Sequence, residues 1–212
     1  MKLYTFWRSS AAFRVRIALN LKGIPFESVP QSLTQGLQRS QAYLALNPQG
    51  LIPALEDAGN IFTQSLAIIE YLDETHRATP LLPADPIGRA TVRGLAQVIA
   101  CEIHPLNNLR VLNYLRGALG RDDGTVRAWY QHWIAAGFAP LEDLARRHSA
   151  DDRFLYGAAV SMADICLVPQ VYNARRFECD LTPYPKLVAI STALEQLPAF
   201  QAARPEAQPD AA

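Results

Sequence analysis

The sequence of 212 residues lacks several features that mark specialised classes of protein. It has no excess of charge, because 20 lysines and arginines balance 20 aspartates and glutamates, whereas nucleic-acid-binding domains usually carry a basic excess. It also has no uninterrupted apolar run approaching the ~18 residues of a membrane helix. We therefore expect no nucleic-acid partner and no membrane span, although zero net charge is compatible with a local basic patch.

Cysteine is scarce, with Cys101, Cys166 and Cys179 as the three examples. They form no C-x-x-C pair and no zinc-like Cys/His spacing, so we predict neither a disulfide framework nor a metal site. Charged residues interrupt the N-terminal stretch, which argues against a secretory signal. These features predict reduced thiols in a cytoplasmic protein.

The sequence does contain enough apolar material for a core, since 50% of its residues are hydrophobic. Its N-terminal part has strand-like and helical patterns in the order βαβαββα. The strands are predicted near 2–6, 26–29, 52–55 and 61–63, and the helices near 11–23, 40–46 and 66–74. We expect Ser9 or Ser10 to cap the first helix and Ser65 to cap the third.

A proline-rich stretch at 76–88 is predicted to be a linker, and the patterns beyond it are helical. The helices are predicted over 88–117 with a bend near Pro105, over 125–148, from a capping box at Ser161 and Asp164 to about 177, and near 186–197. The tail RPEAQPDAA, residues 204–212, is expected to fray. The sequence therefore predicts an α/β domain at 1–80 and an all-helical domain at 87–212.

Several segments carry a family resemblance that spans nearly the whole chain. They are FWRSSAAFRVRIALNLKGIPFE at 6–27, LNPQGLIPAL at 46–55, IHPLNNLRVLNYL at 103–115 and FLYGAAVSMADICLVPQVYNARRF at 154–177. These segments resemble the zeta-class glutathione transferases, which include maleylacetoacetate isomerase and bacterial maleylpyruvate isomerases. The resemblance implies a thioredoxin-like N-terminal domain, an all-helical C-terminal domain, a cytoplasmic homodimer, glutathione as cofactor and a cis peptide bond at Ile52-Pro53.

The resemblance also implies that Ser9 is the main partner of the glutathione thiolate, with Ser10 as the alternative. A helix N-terminus stabilises anions and makes a thiol easier to ionise, so the position suits this role. The other interpretation is a serine that only caps the helix. Many members of the class have cysteine where this chain has Ala11, so we expect no protein cysteine to act as nucleophile.

Further contacts to glutathione are implied at other positions. Gln64 and Ser65 would hold the γ-glutamyl end, although Ser65 could instead be a plain cap. The backbone of Ile52 would pair with the cysteinyl backbone, and Gln49 would reach the glycyl end. His104 and Asn108, four residues apart on the predicted helix, would contact glutathione or substrate, or would only line a helix face.

Arginines are the expected ligands of a small dicarboxylate substrate, because a guanidinium binds a carboxylate in bidentate fashion. We assign Arg8 and Arg176 to this role and Arg110 third. Some relatives carry arginine at the position of Leu109, which leaves the choice at 109–110 open. The simpler explanation of Arg176 is that it complements a helix C-terminus.

The implied reaction is the glutathione-dependent isomerisation of a cis maleyl acid to its trans fumaryl form in aromatic compound degradation. The motif NARRF and the AQPD ending favour maleylpyruvate, of the gentisate route, over maleylacetoacetate. Two alternatives stay open, namely a general transferase acting on α-halo acids and a non-enzymatic scaffold. The presence of Ser9, Gln64 and Ser65 argues against the scaffold.

Overall fold

A mixed sheet of four strands organises the N-terminal part of the computed structural model, which describes residues 1–211. The strands are β1 (Lys2–Thr5), β2 (Glu27–Pro30), β3 (Ala54–Asp57) and β4 (Asn60–Thr63). Their spatial order is β2-β1-β3-β4. β1 is parallel to β2, whereas β3 is antiparallel to both of its neighbours.

Three α-helices follow strands of this sheet, namely α1 (Ser10–Leu21), α2 (Gln41–Leu46) and α3 (Ser65–Thr75). The order βαβαββα is therefore confirmed. α1 is the crossover that allows β1 and β2 to run parallel, and it packs against α3. Ser9 caps α1 as expected. The prediction that Ser65 caps α3 is wrong, because Gln64 is the N-cap and Ser65 is the first helical residue.

Helices make up most of the segment that follows. They are α4 (Pro86–Gln97), α5 (Leu109–Gly117), α6 (Asp123–His148), α7 (Met162–Arg176) and α8 (Pro185–Leu194). α7 packs against α4 and α8, and α6 also packs against α8. The all-helical character predicted for this region is confirmed. None of the helices within residues 1–211 is long and apolar enough to cross a membrane.

The helix predicted over 88–117 with a bend near Pro105 is broken at that proline. After α4 the chain forms a π-helical turn, Val98–Ile103, and α5 begins only at Leu109. The side chain of Ile103, the last residue of this turn, lies against Gly137 of α6, where a Cβ atom would be 2.3 Å from Ile103 Cγ1. Ile103 thus fills the space that the absent side chain of Gly137 leaves. Helical periodicity alone could not predict this contact between two helical segments.

Two buried carboxylates fix helix starts in this helical region. Asp164 accepts hydrogen bonds from the Ser161 backbone N–H (2.8 Å), the Ser161 hydroxyl (2.7 Å) and the Leu155 N–H (2.7 Å). The capping box predicted from Ser161 and Asp164 is confirmed. Glu142 on α6 similarly accepts from the Leu187 N–H (3.0 Å) at the start of α8.

The end of the chain packs against α1 of the N-terminal part. It contains α9 (Pro198–Ala203) and a 3₁₀ turn at Pro205–Ala207. α9 packs against α1, and Phe200 is fully buried. The expectation that residues 204–212 fray is wrong for the part that the structure describes, because Pro205 is buried and Gln208 Nε2 donates to the carbonyls of Ala202 (2.9 Å) and Arg204 (2.8 Å).

The structure accordingly divides into two compact units. The first comprises Met1–Leu81 and Glu195–Ala212, and the second comprises Leu82–Leu194. The sequence placed everything from residue 87 to residue 212 in the helical domain, so the two divisions differ in the last segment. Ala212 itself lies outside the described residues.

Candidate active site

The turn between β1 and α1 presents a serine hydroxyl at a helix N-terminus. Ser9 Oγ accepts a hydrogen bond from the Ala12 N–H (3.3 Å), and the Ser9 N–H donates to the Phe6 carbonyl (2.9 Å). Because Ser9 Oγ acts as the acceptor in the cap, its hydroxyl proton can be donated to an anion. Ser9 is half-buried whereas Ser10 is only 8% exposed, so access favours Ser9 over Ser10.

Arg8 lies in the same turn and is exposed. Its guanidinium carbon lies 5.0 Å from the centroid of the Trp7 ring, which is within the range of a cation–π contact. The turn therefore combines a cation, a hydroxyl donor and the positive end of a helix dipole. This combination can bind a carboxylate and stabilise a thiolate.

The start of α3 is a second candidate anion site. Gln64 adopts φ +69°, a left-handed conformation that is uncommon for a residue other than glycine and that recurs at functional sites. Ser65 is only 7% exposed, and its Oγ accepts a hydrogen bond from Arg14 Nη1 (3.3 Å). The Ser65 hydroxyl proton is thus available to a carboxylate, and a buried guanidinium lies behind it.

The loop between α2 and β3 is held by two side chains from its N-terminal end. The Tyr43 hydroxyl (2.7 Å) and the Asn47 amide (2.8 Å) both donate to the Leu51 carbonyl. The cis peptide bond predicted at Ile52-Pro53 is present. This arrangement fixes the backbone on which Ile52 lies.

Gln49 and Gln64 are brought together, because Gln64 Nε2 donates to Gln49 Oε1 (2.9 Å). Since Ser65 follows Gln64 directly, three of the predicted glutathione contacts meet at the start of α3. Arg14 also connects Ser65 to α1. The predicted cofactor residues of the first unit thus lie on elements that contact one another.

The predicted residues of the second unit lie on a turn and at helix ends. His104 follows the π-helical turn, and Asn108 is the N-cap of α5, where its Oδ1 accepts from the Arg110 N–H (3.1 Å). The prediction that His104 and Asn108 share a helix face is wrong, because residues 104–108 form a non-helical turn between the π-helical turn and α5. Arg110 is exposed in the first turn of α5, as is Leu109 beside it.

Arg176 is the last residue of α7 and is exposed. Its guanidinium carbon lies 4.6 Å from the centroid of the Phe177 ring, which stacks on Tyr130 with centroids 3.6 Å apart. Burial raises the pKa of Tyr130, and the positive charge of Arg176 opposes that shift. Arg176 therefore rests on an aromatic pair that orients it.

Sequence reasoning missed four residues that support the site, namely Arg14, Arg16, Tyr43 and Asn47. Arg14 and Arg16 are 1% and 0% exposed, although arginine is rarely buried without partners. Two arginines among the apolar residues of α1 were the available signal. The roles of Tyr43 and Asn47 depend on loop geometry, which the sequence does not reveal.

Comparison with known proteins agrees with this geometry. Residues 3–80 match the family described as the N-terminal domain of glutathione S-transferase. The chain is 48% identical over 212 residues to a maleylpyruvate isomerase of a Ralstonia species, with 100% of both chains covered.

Two solved structures are also similar to the chain over its full length. One, described as a holo maleylpyruvate isomerase and a bacterial glutathione S-transferase of the zeta class, has a TM-score of 0.98 and 48% identity, with 100% of both chains covered. The other is a maleylacetoacetate isomerase from Methylobacterium extorquens AM1 with bound malonate and glutathione. It has a TM-score of 0.96 and 43% identity, again with 100% of both chains covered.

Proposed function

We propose that the chain, which belongs to the zeta class of the glutathione S-transferase family, is a glutathione-dependent cis–trans isomerase. The favoured reaction converts maleylpyruvate to fumarylpyruvate, and conversion of maleylacetoacetate to fumarylacetoacetate is the other candidate. The observation that carries the proposal is the half-buried Ser9 hydroxyl at the N-terminus of α1. Its proton can be donated to a thiolate there, and the helix dipole stabilises the same negative charge.

The residues of the first unit fit glutathione. The buried Ser65 hydroxyl, supported by the buried Arg14, suits the carboxylate of the γ-glutamyl end. The left-handed backbone at Gln64 is the kind of strain that persists where a ligand is bound. We assign the cofactor to Ser9, Gln49, Ile52, Gln64, Ser65, His104 and Asn108.

When bound, glutathione supplies a thiolate that transiently turns the maleyl double bond into a single bond, about which rotation is free. The chain's own task is to neutralise negative charge. We assign Ser9, with Ser10 as the alternative, to the thiolate, and Arg8, Arg110 and Arg176 to the carboxylates and to the enolate oxygen of the substrate. All three arginines are exposed, and a relative binds malonate, itself a small dicarboxylate.

An absorbance assay on the purified protein tests the function. Maleylpyruvate and maleylacetoacetate are supplied separately, each with and without glutathione, and the product is identified with the matching fumaryl hydrolase. Isomerisation that requires glutathione and leaves its concentration unchanged is expected, and the faster substrate identifies the reaction. A stable thioether formed from an α-halo acid, with no isomerisation of either acid, would favour the general transferase instead.

Replacing Ser9 with alanine tests the residue that carries the proposal. Ser9→Ala is expected to lower kcat/KM by about 10²–10³, the range found when one donor to a developing anion is removed. Ser40→Ala is the matched control, because Ser40 caps α2 through a hydrogen bond from the Tyr43 N–H (3.2 Å) and has no proposed chemistry. Both variants should lose about 1 kcal/mol of stability, as N-cap substitutions typically do. Equal activity in the two variants would contradict the assignment.

We also propose that the protein is a cytoplasmic homodimer. The homodimer follows from membership of the family, and sedimentation equilibrium of the purified protein tests it. The location is supported by the thiols, since Cys101 and Cys179 are free. Unpaired cysteines are typical of a reducing compartment.

A further inference from the structure

The end of the chain contacts the loop that carries Arg8 and Ser9. The Trp7 backbone N–H donates to Asp210 Oδ2 (3.0 Å), a residue 203 positions away in the sequence. The Trp7 carbonyl accepts a hydrogen bond from Arg16 Nη2 (2.9 Å). Both polar groups of the Trp7 backbone are therefore fixed by side chains from outside the loop.

Arg16 is placed to hold this loop and the C-terminal segment together. Its Nη1 donates to Thr5 Oγ1 (3.0 Å) and to the Phe6 carbonyl (3.4 Å), and its Nε donates to the Ala203 carbonyl (3.1 Å) at the end of α9. Burial lowers the pKa of Arg16 to about 10, and the negative charge of Asp210 opposes that shift. Arg16 is thus a cation at neutral pH, attracted to Asp210.

The segment that carries Asp210 is itself well anchored. Gln208 Nε2 donates to the carbonyls of Ala202 (2.9 Å) and Arg204 (2.8 Å), which folds the last turn back on α9. Asn20 of α1 donates to the Ala199 carbonyl (3.0 Å). The Asp210 carboxylate is therefore presented from a fixed backbone and not from a loose end.

From these contacts we infer that Asp210 and Arg16 are positioning residues for the active-site loop Trp7-Arg8-Ser9. Asp210 restrains the Trp7 N–H, Arg16 restrains the Trp7 carbonyl, and the fixed Trp7 ring supports the Arg8 guanidinium. The inference rests on the proposed function of Arg8 and Ser9. The consequence is that a carboxylate near the end of the chain controls the geometry of the catalytic loop.

The test compares three variants. Asp210→Ala removes the acceptor of the Trp7 N–H, Asp210→Asn keeps an acceptor oxygen, and Asp143→Ala removes an exposed carboxylate on α6 as a control. Asp210→Ala is expected to lower kcat about tenfold, while the dissociation constant for glutathione changes less than twofold because the γ-glutamyl contacts at Ser65 remain. Asp210→Asn should stay within about threefold of the wild-type protein, and Asp143→Ala should match it.

Two readouts do not depend on isomerase activity. Hydrogen exchange of the Trp7 amide, measured without glutathione, should be at least tenfold faster in Asp210→Ala than in the wild-type protein. Ultraviolet titration of bound glutathione should show a raised thiol pKa in Asp210→Ala, because the Ser9 donor is less well placed. Loss of the C-terminal packing alone would change neither kcat nor this pKa.

Two results would overturn the inference. One is unchanged Trp7 exchange and unchanged kcat in Asp210→Ala, and the other is an Asp210→Asn variant as impaired as Asp210→Ala. If the wild-type protein isomerises neither acid, the proposed function fails, whereas the exchange rate and the thiol pKa still decide whether Asp210 positions the loop.

Discussion

The two compact units bury charges of opposite sign. Apart from the Lys22–Asp73 ion pair, whose side chains are 1% and 9% exposed, the buried charged side chains of the first unit are Arg14 and Arg16, and those of the second are Glu142 and Asp164, among the residues described. The arginines contact site residues, since Arg14 donates to Ser65 and Arg16 donates to the carbonyl of Trp7.

The carboxylates have a different use, because they accept backbone N–H groups at the starts of α7 and α8. Neither carboxylate has a proposed contact with glutathione or substrate. Under the proposed assignment of Ser65 to the γ-glutamyl carboxylate, the first unit uses buried charge to support an anion-binding site, whereas the second uses it to fix the starts of helices.

The largest loss of stability is expected from Asp164→Ala. The substitution leaves the buried donors of Leu155 and Ser161 without their acceptor, which should cost on the order of 3–5 kcal/mol of stability. Urea unfolding measures the loss. Asp122→Ala is the matched control, since Asp122 caps α6 from an exposed position and should cost only about 1 kcal/mol. Similar losses in the two variants would contradict a special role for the buried carboxylate.

A second test uses the pH dependence of stability. Burial raises the pKa of Asp164 from 3.8 to about 6, although its hydrogen bonds with Leu155 and Ser161 oppose the shift. At a pH between these two pKa values, the Asp164 carboxyl is protonated in the folded state and ionised in the unfolded state. The contribution of Asp164 to stability is therefore fully present below about pH 4 and is lost as the pH rises through about 6, by up to about 3 kcal/mol.

Carbon-13 NMR of labelled aspartate measures this pKa directly, and urea unfolding at several pH values measures the stability. The free energy of unfolding of the wild-type protein minus that of Asp164→Asn should fall as the pH rises from about 4 to about 6. A carboxyl carbon that titrates below pH 4 would reverse the predicted sign.

The smallest of the three effects is expected from Arg14→Met, which keeps much of the side-chain volume and removes the charge behind Ser65. Glutathione affinity should fall about tenfold, or ~1.4 kcal/mol, because the γ-glutamyl carboxylate loses a favourable charge. Calorimetric titration measures the affinity. Arg77→Met is the control, since Arg77 is exposed in the same unit. If Arg14→Met binds glutathione as tightly as the control, the buried cation serves the fold alone.

Local signals made much of the fold predictable from the sequence. The capping box at Ser161 and Asp164 and the cap at Ser9 depend on residues within one helical turn. The cis bond at Ile52-Pro53 was predictable only through family resemblance. The order of strands and helices follows from patterns a few residues long.

The features that were missed depend on contacts between distant residues. Ile103, at the end of the π-helical turn, lies against Gly137 of α6, and the tail is held by Gln208, which donates to the carbonyls of Ala202 and Arg204. The burial of Arg14 and Arg16 could not be predicted without knowing where their acceptors lie on other elements. A periodic pattern indicates which face of a helix is apolar, but it does not identify a partner elsewhere in the chain.

The contact between Trp7 and Asp210 also has a consequence for how the protein is made. Asp210 is synthesised 203 residues after Trp7, so the loop with Ser9 exists in a growing chain well before its restraint. At about 5–20 residues per second, that interval is roughly 10–40 s. During translation, the contact that restrains this loop can therefore form only after the whole helical unit has been synthesised.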